Sequence, residues 1–176
     1  FSEGVPPQRN LLGEPVIKQG ALGPDFLSPF DYSTTTSDVL KKEFAEIGHG
    51  FTSPRSLKNG VELREYKNQD GQSAYDRWLE LHGSVKINGK SLRQTLTQLI
   101  KSRRYKQLPY ESIEGLDKSP RVREINRILS KYRAKAFSQM LREFPDVRQR
   151  DEMNLLIRQA RRTGKSYEEL LAIANQ

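Results

Sequence analysis

The strongest hydrophobic pattern in the chain is a two-sided stretch between Ser119 and Pro145. Ser119 suits the N-cap and Pro120 the first helical position, whereas Pro145 prevents the helix from continuing beyond Phe144. At 3.6 residues per turn the spacing predicts one amphipathic helix of about 25 residues, roughly 37 Å long. Its apolar arc is formed by Val122, Ile125, Ile128, Leu129, Tyr132, Ala136, Phe137, Met140 and Phe144.

The opposite arc of this predicted helix is basic. It carries Arg123, Arg127, Lys131, Lys135 and Arg142, with Glu124 as the only acid among them. We predict that these five side chains face an anionic surface or partner, and an ordinary solvated helix face is the alternative.

One basic residue, Arg133, falls instead within the apolar arc. We expect its stem to reach toward water or its head to meet a carboxylate, and a functional buried arginine is the alternative.

Shorter apolar repeats predict further helices on both sides of the long one. Residues 51–69 look irregular, although Asn59-Gly60 is a turn signal and Val61-Glu62-Leu63 is suited to a brief strand. The predicted helices are one capped by Ser37 or Asp38 with Val39, Leu40, Phe44 and Ile47 apolar; one from Ser73 to His82 burying Tyr75, Trp78 and Leu79 and ended by Gly83; one opened by Gly89 and Ser91 with Leu92, Leu96, Leu99 and Ile100; one from Pro145 to Arg162; and one after Ser166 ending at Ala174.

The first 37 residues have a different pattern, because five prolines and four glycines interrupt any helix or long strand. Large apolar residues are nevertheless interspersed, which is unusual for a disordered linker. We therefore predict an extended arm that docks on the chain's own helices or on a partner. The residues expected to dock are Leu11, Leu12, Phe26, Leu27 and Phe30.

Together these patterns predict an all-α, irregular helical module with an extended Pro/Gly-rich N-terminal arm. The arm comprises residues 1–37, the helical module 38–147 and a C-terminal helical extension 148–176.

Composition adds a strong charge asymmetry to this picture. The chain of 176 residues has a net charge of +8, but residues 1–89 carry 10 Lys and Arg against 12 Asp and Glu, whereas residues 90–176 carry 20 against 10. Such a basic half neutralises nucleic-acid phosphates, an anionic membrane or an acidic protein surface. The lack of cysteine excludes disulfides and thiolate metal sites, and no apolar run approaches the roughly 20 residues of a membrane span.

Candidate catalytic motifs each fail at a required position. Gly164-Lys165-Ser166 resembles the end of a phosphate-binding loop, but Gln159 stands where that loop needs glycine. Glu111-Ser112 resembles the catalytic pair of lytic transglycosylases without the run that should follow it. His49 and His82 lack an evident second ligand or catalytic partner. We therefore predict no catalytic, metal-binding or cofactor-binding residue in the chain.

A series of short motifs, in order over about residues 8–147, resembles the "large polyvalent protein associated" domain of bacteriophages and prophages. His82-Gly83-Ser84 departs from the pattern, because the family has a small residue before the glycine, and residues 148–176 lie outside the match. The motifs are Leu11-Leu12-Gly13-Glu14-Pro15, Leu22-Gly23-Pro24-Asp25, Leu27-Ser28-Pro29-Phe30, Asp38-Val39-Leu40, Glu43-Phe44, Ile47-Gly48, Tyr75-Asp76-Arg77-Trp78, Glu80-Leu81, Leu92-Arg93-Gln94-Thr95-Leu96, Leu99-Ile100, Tyr105-Lys106-Gln107-Leu108-Pro109 and Arg142-Glu143-Phe144-Pro145.

This resemblance implies a C-terminal piece of a large internal core or ejection protein of a tailed phage, with which the start at Phe1 agrees. The expected partners are portal, tail or core proteins, further copies of the chain within the particle, and packaged DNA. The expected location is the virion, inside the capsid or at the portal or tail, after synthesis in the host cytoplasm. Alternatives are a free-standing nucleic-acid-binding protein, or an accessory domain of a lytic or RNA-synthesising polyprotein whose enzyme domains lie upstream.

Overall fold

The computed structural model describes residues 9–15, 39–47, 51–116 and 118–175. Within these ranges the chain is mostly α-helical, which confirms the predicted fold class, with two small antiparallel hairpins between helices. The elements are α1 (Val39–Ile47), β1 (Leu57–Lys58), β2 (Val61–Glu62), a short 3-10 helix (Leu63–Glu65), α2 (Ala74–Ser84), β3 (Lys86–Ile87), β4 (Lys90–Ser91), α3 (Leu92–Lys101), α4 (Arg103–Lys106), α5 (Pro120–Glu143), α6 (Pro145–Thr163) and α7 (Tyr167–Ala174).

The predicted long helix is α5, and its cap is confirmed: the Ser119 hydroxyl accepts a hydrogen bond from the Val122 N–H, with Pro120 at the first position. The N-terminal half of its apolar arc packs with α1 and α3, and the C-terminal half packs with α2, β2 and the start of α6. One helix therefore supplies side chains to both hydrophobic clusters of the described chain. None of the described helices has the length and apolarity needed to cross a membrane.

The helices after α5 also begin and end where the sequence indicates. Gly164 adopts a left-handed conformation (φ 69°) at the end of α6, and the Ser166 hydroxyl caps α7 by accepting from the Glu169 N–H. α6 is fastened to the β1–β2 turn, because Asn59 donates to the buried Asp151 carboxylate at 2.9 Å.

One local prediction is wrong and one element was not predicted, although Ser91 caps α3 as expected. α2 continues through Gly83 to Ser84, and it buries Leu81 and His82 more deeply than Leu79. Residues 86–91 form the β3–β4 hairpin before α3, around an Asn88-Gly89 turn in which both residues have positive φ. Such an Asn-Gly pair matches the twist of the two flanking strands, which explains the hairpin.

Residues 9–15 correct the expected extended arm. They form a closed loop in which the Asn10 side-chain oxygen accepts from the N–H groups of Leu12 and Glu14 at 2.9 and 3.1 Å. Gly13 completes the turn at φ +76°, a conformation that glycine adopts without the strain of a side chain. The rest of the predicted arm, residues 1–8 and 16–37, lies outside the described residues.

This loop is clamped between α2 and α3. Leu11 and Leu12 are 2% and 1% exposed, and they belong to the hydrophobic cluster around α1, α3 and α5. On its surface, Arg93 of α3 donates to both oxygens of Glu14, at 2.6 and 3.0 Å. The loop is therefore part of the core rather than an appendage.

A buried ion pair joins α1 to the start of α5. Glu43 accepts from Arg121 at 3.1 Å and from the hydroxyls of Tyr105 and Tyr110 at 2.7 and 3.1 Å. The Arg121 guanidinium lies 4.9 and 3.8 Å from the centroids of the two tyrosine rings. Burial and the adjacent Glu43 raise the pKa of Tyr105, so its hydroxyl remains a donor. Every polar group of this site thus has a partner, which is what makes a buried charge tolerable.

The fit of the loop against α2 predicts a large effect of Gly13→Ala. A Cβ there would lie 2.4 Å from the Leu79 carbonyl oxygen and 2.6 Å from the Gly83 nitrogen, both backbone atoms. Gly71→Ala is the matched control, because Gly71 has φ +79° and open space around it. We expect Gly71→Ala to cost about 1 kcal/mol from backbone strain alone and Gly13→Ala about 2 kcal/mol more, measured by urea unfolding. Equal losses would show that the loop does not press on α2.

The ion pair predicts a second difference in stability. Glu43→Gln removes the carboxylate while Arg121 stays buried, so we expect a loss of about 3 kcal/mol in unfolding free energy. Glu46→Gln on the same helix changes an exposed carboxylate and should stay within about 0.5 kcal/mol of the wild type. A small effect of Glu43→Gln would contradict the assignment of this pair as the link between α1 and α5.

Candidate anion-binding surface

The five predicted basic residues of α5 are all exposed. Arg123, Arg127, Lys131 and Lys135 follow one another at intervals of four residues, so each lies about 6 Å further along the axis. Arg142 lies two turns further on the same side, which extends the line to about 28 Å. Because the two hydrophobic clusters bury the apolar arc, the basic arc forms the outer face of the helix.

The single acid on this arc, Glu124, is shared between two arginines. Arg127 donates to one of its oxygens at 3.2 Å, and Arg104 of α4 lies 3.6 Å from the other. Arg104 is 80% exposed at its side chain, so its pairing adds little free energy. The consequence is spatial: the contact brings a cation of α4 beside the basic line of α5.

The β3–β4 hairpin adds two lysines on the same flank of α5. The Tyr132 hydroxyl donates to the Lys90 carbonyl at 2.7 Å, and the Lys135 ammonium donates to the Lys86 carbonyl. Both hairpin lysines are exposed. The hairpin that sequence analysis missed is thus fastened to α5 by two hydrogen bonds, one from the basic line and one from the apolar arc.

We call this set of exposed cations, which share one side of the molecule, the cationic surface. It has one partly buried carboxylate near it, Glu124, and its backbone is rigid because its residues lie on helices and on a hairpin bound to α5. Such a surface attracts polyanions and holds them by many weak, salt-sensitive contacts. Its members are Lys86, Lys90, Arg104, Arg123, Arg127, Lys131, Lys135 and Arg142.

The structure describes two of the five residues predicted to dock the arm. Leu11 and Leu12 are buried against the chain's own helices, as described above. Phe26, Leu27 and Phe30 lie outside the described residues, so their docking stays a prediction.

Arg133 behaves differently from either expectation for its head group. Its Nη2 donates to the Thr52 carbonyl at 2.9 Å, a backbone oxygen rather than a carboxylate. Its Nε is buried without an acceptor among the described residues. Burial lowers the pKa of Arg133, and its own carbonyl accepts the Trp78 indole N–H at 3.0 Å.

The residues considered for catalysis are not brought together. Glu111 and Lys165 are exposed, in the loop before α5 and between α6 and α7, and His49 lies outside the described residues. Within the described ranges there is no group of three or more acids and histidines able to hold a metal ion.

His82 lies under the arm loop, 1% exposed. Its ring packs edge-on against Trp78, with centroids 5.4 Å apart, and its Nε2 has no hydrogen-bond partner in the described chain. Burial, helped by the charge of Arg133, lowers the pKa of His82 to about 3. The imidazole is therefore neutral in the folded chain and packs as part of the protein interior.

Comparisons with protein-family models, with curated proteins and with solved structures found no match for this chain. Its function is therefore argued from its own residues.

Sequence reasoning missed three members of the cationic surface and one buried arginine. Lys86 and Lys90 join it through the Asn88-Gly89 hairpin, which is a recognised turn signal and was available in the sequence. Arg104 joins it through tertiary packing, for which no local signal exists. Arg121 falls on the apolar arc of the α5 wheel, as Arg133 does, and that position was the signal of its burial.

The neutral state of His82 predicts a pH dependence of stability. The unfolded chain binds a proton at His82 below about pH 6.5 while the folded chain does not until about pH 3. Stability should therefore fall as the pH drops below 6.5, by about 1.4 kcal/mol per unit, or about 2 kcal/mol by pH 5.

Urea unfolding at pH 7.5, 6.5, 5.5 and 5.0 measures this slope, in a range above most carboxylate titrations. His82→Leu is the comparison variant, since it cannot take up the proton. We expect its unfolding free energy to change by less than half as much over the same range. Parallel curves for the two proteins would show that His82 titrates normally.

Proposed function

We propose that this chain is a non-catalytic structural module of an internal virion protein of a tailed phage, one that travels with the genome or takes part in its ejection. The module docks on other proteins of the particle and sets its cationic surface against packaged double-stranded DNA. Any enzyme of the intact protein lies in other domains.

One observation carries the DNA-facing part of this proposal. The exposed arc of α5 holds a line of five cations with one acid, and α4 and the β3–β4 hairpin extend the positive charge on the same flank. Three other surface cations are paired with acids: Arg77 with Glu143, Arg93 with Glu14 and Arg148 with Glu152. On α5 a single carboxylate, Glu124, lies within the line of five cations, so the line keeps a net positive charge.

The shape of the surface favours a polyanion over a small ligand. The cations of α5 are spread over about 28 Å of helix, so no single phosphate or carboxylate contacts more than a few of them. Phosphates of double-stranded DNA recur every 3.4 Å or so along each strand, and a line of cations engages several at once. Binding of this kind positions DNA without reading its sequence.

The phage context is supported by the ordered motifs that resemble the large polyvalent protein associated domain. Several of those motifs lie at packing points of the fold: Leu11-Leu12-Gly13-Glu14 in the arm loop, Trp78 in α2, and Phe144-Pro145 between α5 and α6. A free-standing nucleic-acid-binding protein and an accessory domain of an enzyme remain the alternatives.

The experiment is a salt titration of DNA binding by the full chain, with duplexes of two unrelated sequences. In the variant Arg123→Glu/Lys131→Glu, two exposed cations of α5 are reversed without touching the apolar arc. If each contacts a phosphate, the slope of log K against log salt should become shallower by about 2, and helix content should not change. Affinity should fall equally for both sequences.

Arg55→Glu/Lys67→Glu is the matched control, because it makes the same change in net charge at exposed positions that are not part of the cationic surface. We expect its salt slope to remain close to that of the wild type. Equal slopes for all three proteins would reject the DNA-facing role. Loss of particle incorporation without any loss of DNA binding would point to an acidic protein partner instead. Release of peptidoglycan fragments or nucleotide hydrolysis by the purified chain would contradict the non-catalytic role.

A further inference from the structure

A cleft of about 440 Å³ opens beside α5 and borders the cationic surface. Arg133 lines it and is rotated by about 80° around the helix from Arg123 and by about 160° from Lys135. The other walls come from the segment before β1, from the β1–β2 hairpin and from α2. The residues that line the cleft include none of the cations proposed to face DNA.

The floor of this cleft is apolar and aromatic. It is formed by Trp78 and Phe137, whose ring centroids are 5.3 Å apart at nearly a right angle, with Pro54 and Ala134 at the sides. A cavity of a few hundred Å³ with aromatic walls and a small number of polar groups has the character of a small-ligand site. Its volume suits a ring-sized body rather than a helix or a strand.

Two cations stand at the cleft, and none of the described residues that line it is acidic. The Lys58 ammonium lies 5.4 Å from the centroid of the Trp78 ring. Arg133 has one hydrogen bond, to the Thr52 carbonyl, and its buried Nε has no acceptor among the described residues. A buried cation with too few acceptors is costly, and an anion entering the cleft would offset that cost.

We propose that this cleft binds a carboxylate carried on a flat apolar body. The carboxylate accepts hydrogen bonds from Lys58 and Arg133, and the apolar body lies against Trp78 and Phe137. The same chemistry is offered by a free aromatic acid and by a peptide that ends in phenylalanine, and the experiment separates these two sources.

Trp78 is the single tryptophan of the chain, so its fluorescence reports directly on the cleft floor. The full chain is titrated with 3-phenylpropionate, with its neutral amide 3-phenylpropanamide, and with the tripeptide Gly-Gly-Phe. We expect saturable changes with the carboxylate, and at least tenfold weaker binding of the amide, because it lacks the charge. Tighter binding of the tripeptide than of 3-phenylpropionate would identify a peptide terminus as the ligand, and the reverse order a free acid.

Variants test the geometry without threatening the fold. Lys58→Ala removes an exposed ammonium and should weaken 3-phenylpropionate at least fivefold, and Ala134→Leu should block the cleft from the exposed side of α5. Lys131→Ala, on the same helix but on the cationic surface, is the control and should bind as the wild type does. Equal affinity for carboxylate and amide, or equal losses in Lys58→Ala and Lys131→Ala, would overturn the proposal.

Discussion

The structure depends on one constraint: a single amphipathic helix must bury its whole apolar arc, and no neighbour is long enough to cover it alone. α1, α3 and α4 cover the N-terminal half of α5, whereas α2, β2 and the start of α6 cover the other half. The two hydrophobic clusters are therefore held in register by α5 itself. Because burial fixes which arc faces inward, it also fixes where the cations stand. The cationic surface is thus a consequence of packing and requires no separate element to build it.

Two arginines, Arg121 and Arg133, lie at the edges of the apolar arc and differ in how their charge is accommodated. Arg121 is buried with a full set of partners: the Glu43 carboxylate, the Leu108 and Lys106 carbonyls, and two tyrosine rings. Arg133 lies 12 residues further along, at the other edge of the apolar arc, and has the Thr52 carbonyl alone as a hydrogen-bond acceptor among the described residues. The first arginine closes the fold by joining α1 to α5. The second leaves unused hydrogen-bonding capacity beside an aromatic cleft, where an added acceptor would meet an incompletely paired cation.

Local chemistry in the sequence predicted most helix starts and stops, because caps and breakers act within four residues. Ser119 with Pro120, Gly164 and Ser166 each perform the role that their residue type favours. Prediction failed where distant contacts decide. The loop at residues 9–15 was expected to be extended, but Asn10 and Gly13 close it locally and the burial of Leu11 and Leu12 among α1, α3 and α5 holds it in place. Arg104 reaches the cationic surface only through the fold, and the cleft between Trp78 and Arg133 joins segments more than 50 residues apart.

A neutral histidine beneath the arm loop, a glycine pressed against α2 and an ion pair between α1 and α5 each stabilise the interior at a different place. Each can be tested separately. Acid protonates His82, a side chain at position 13 overlaps the backbone of α2, and neutralising Glu43 leaves Arg121 without its ion-pair partner. None of them touches the exposed arc of α5. Stability and the proposed anion binding are therefore separable in this molecule, since the groups that hold the core lie on the buried side of α5 and the cations proposed to meet a partner lie on its exposed side. A variant that weakens DNA binding without a change in unfolding free energy is consequently direct evidence about the surface rather than about the fold.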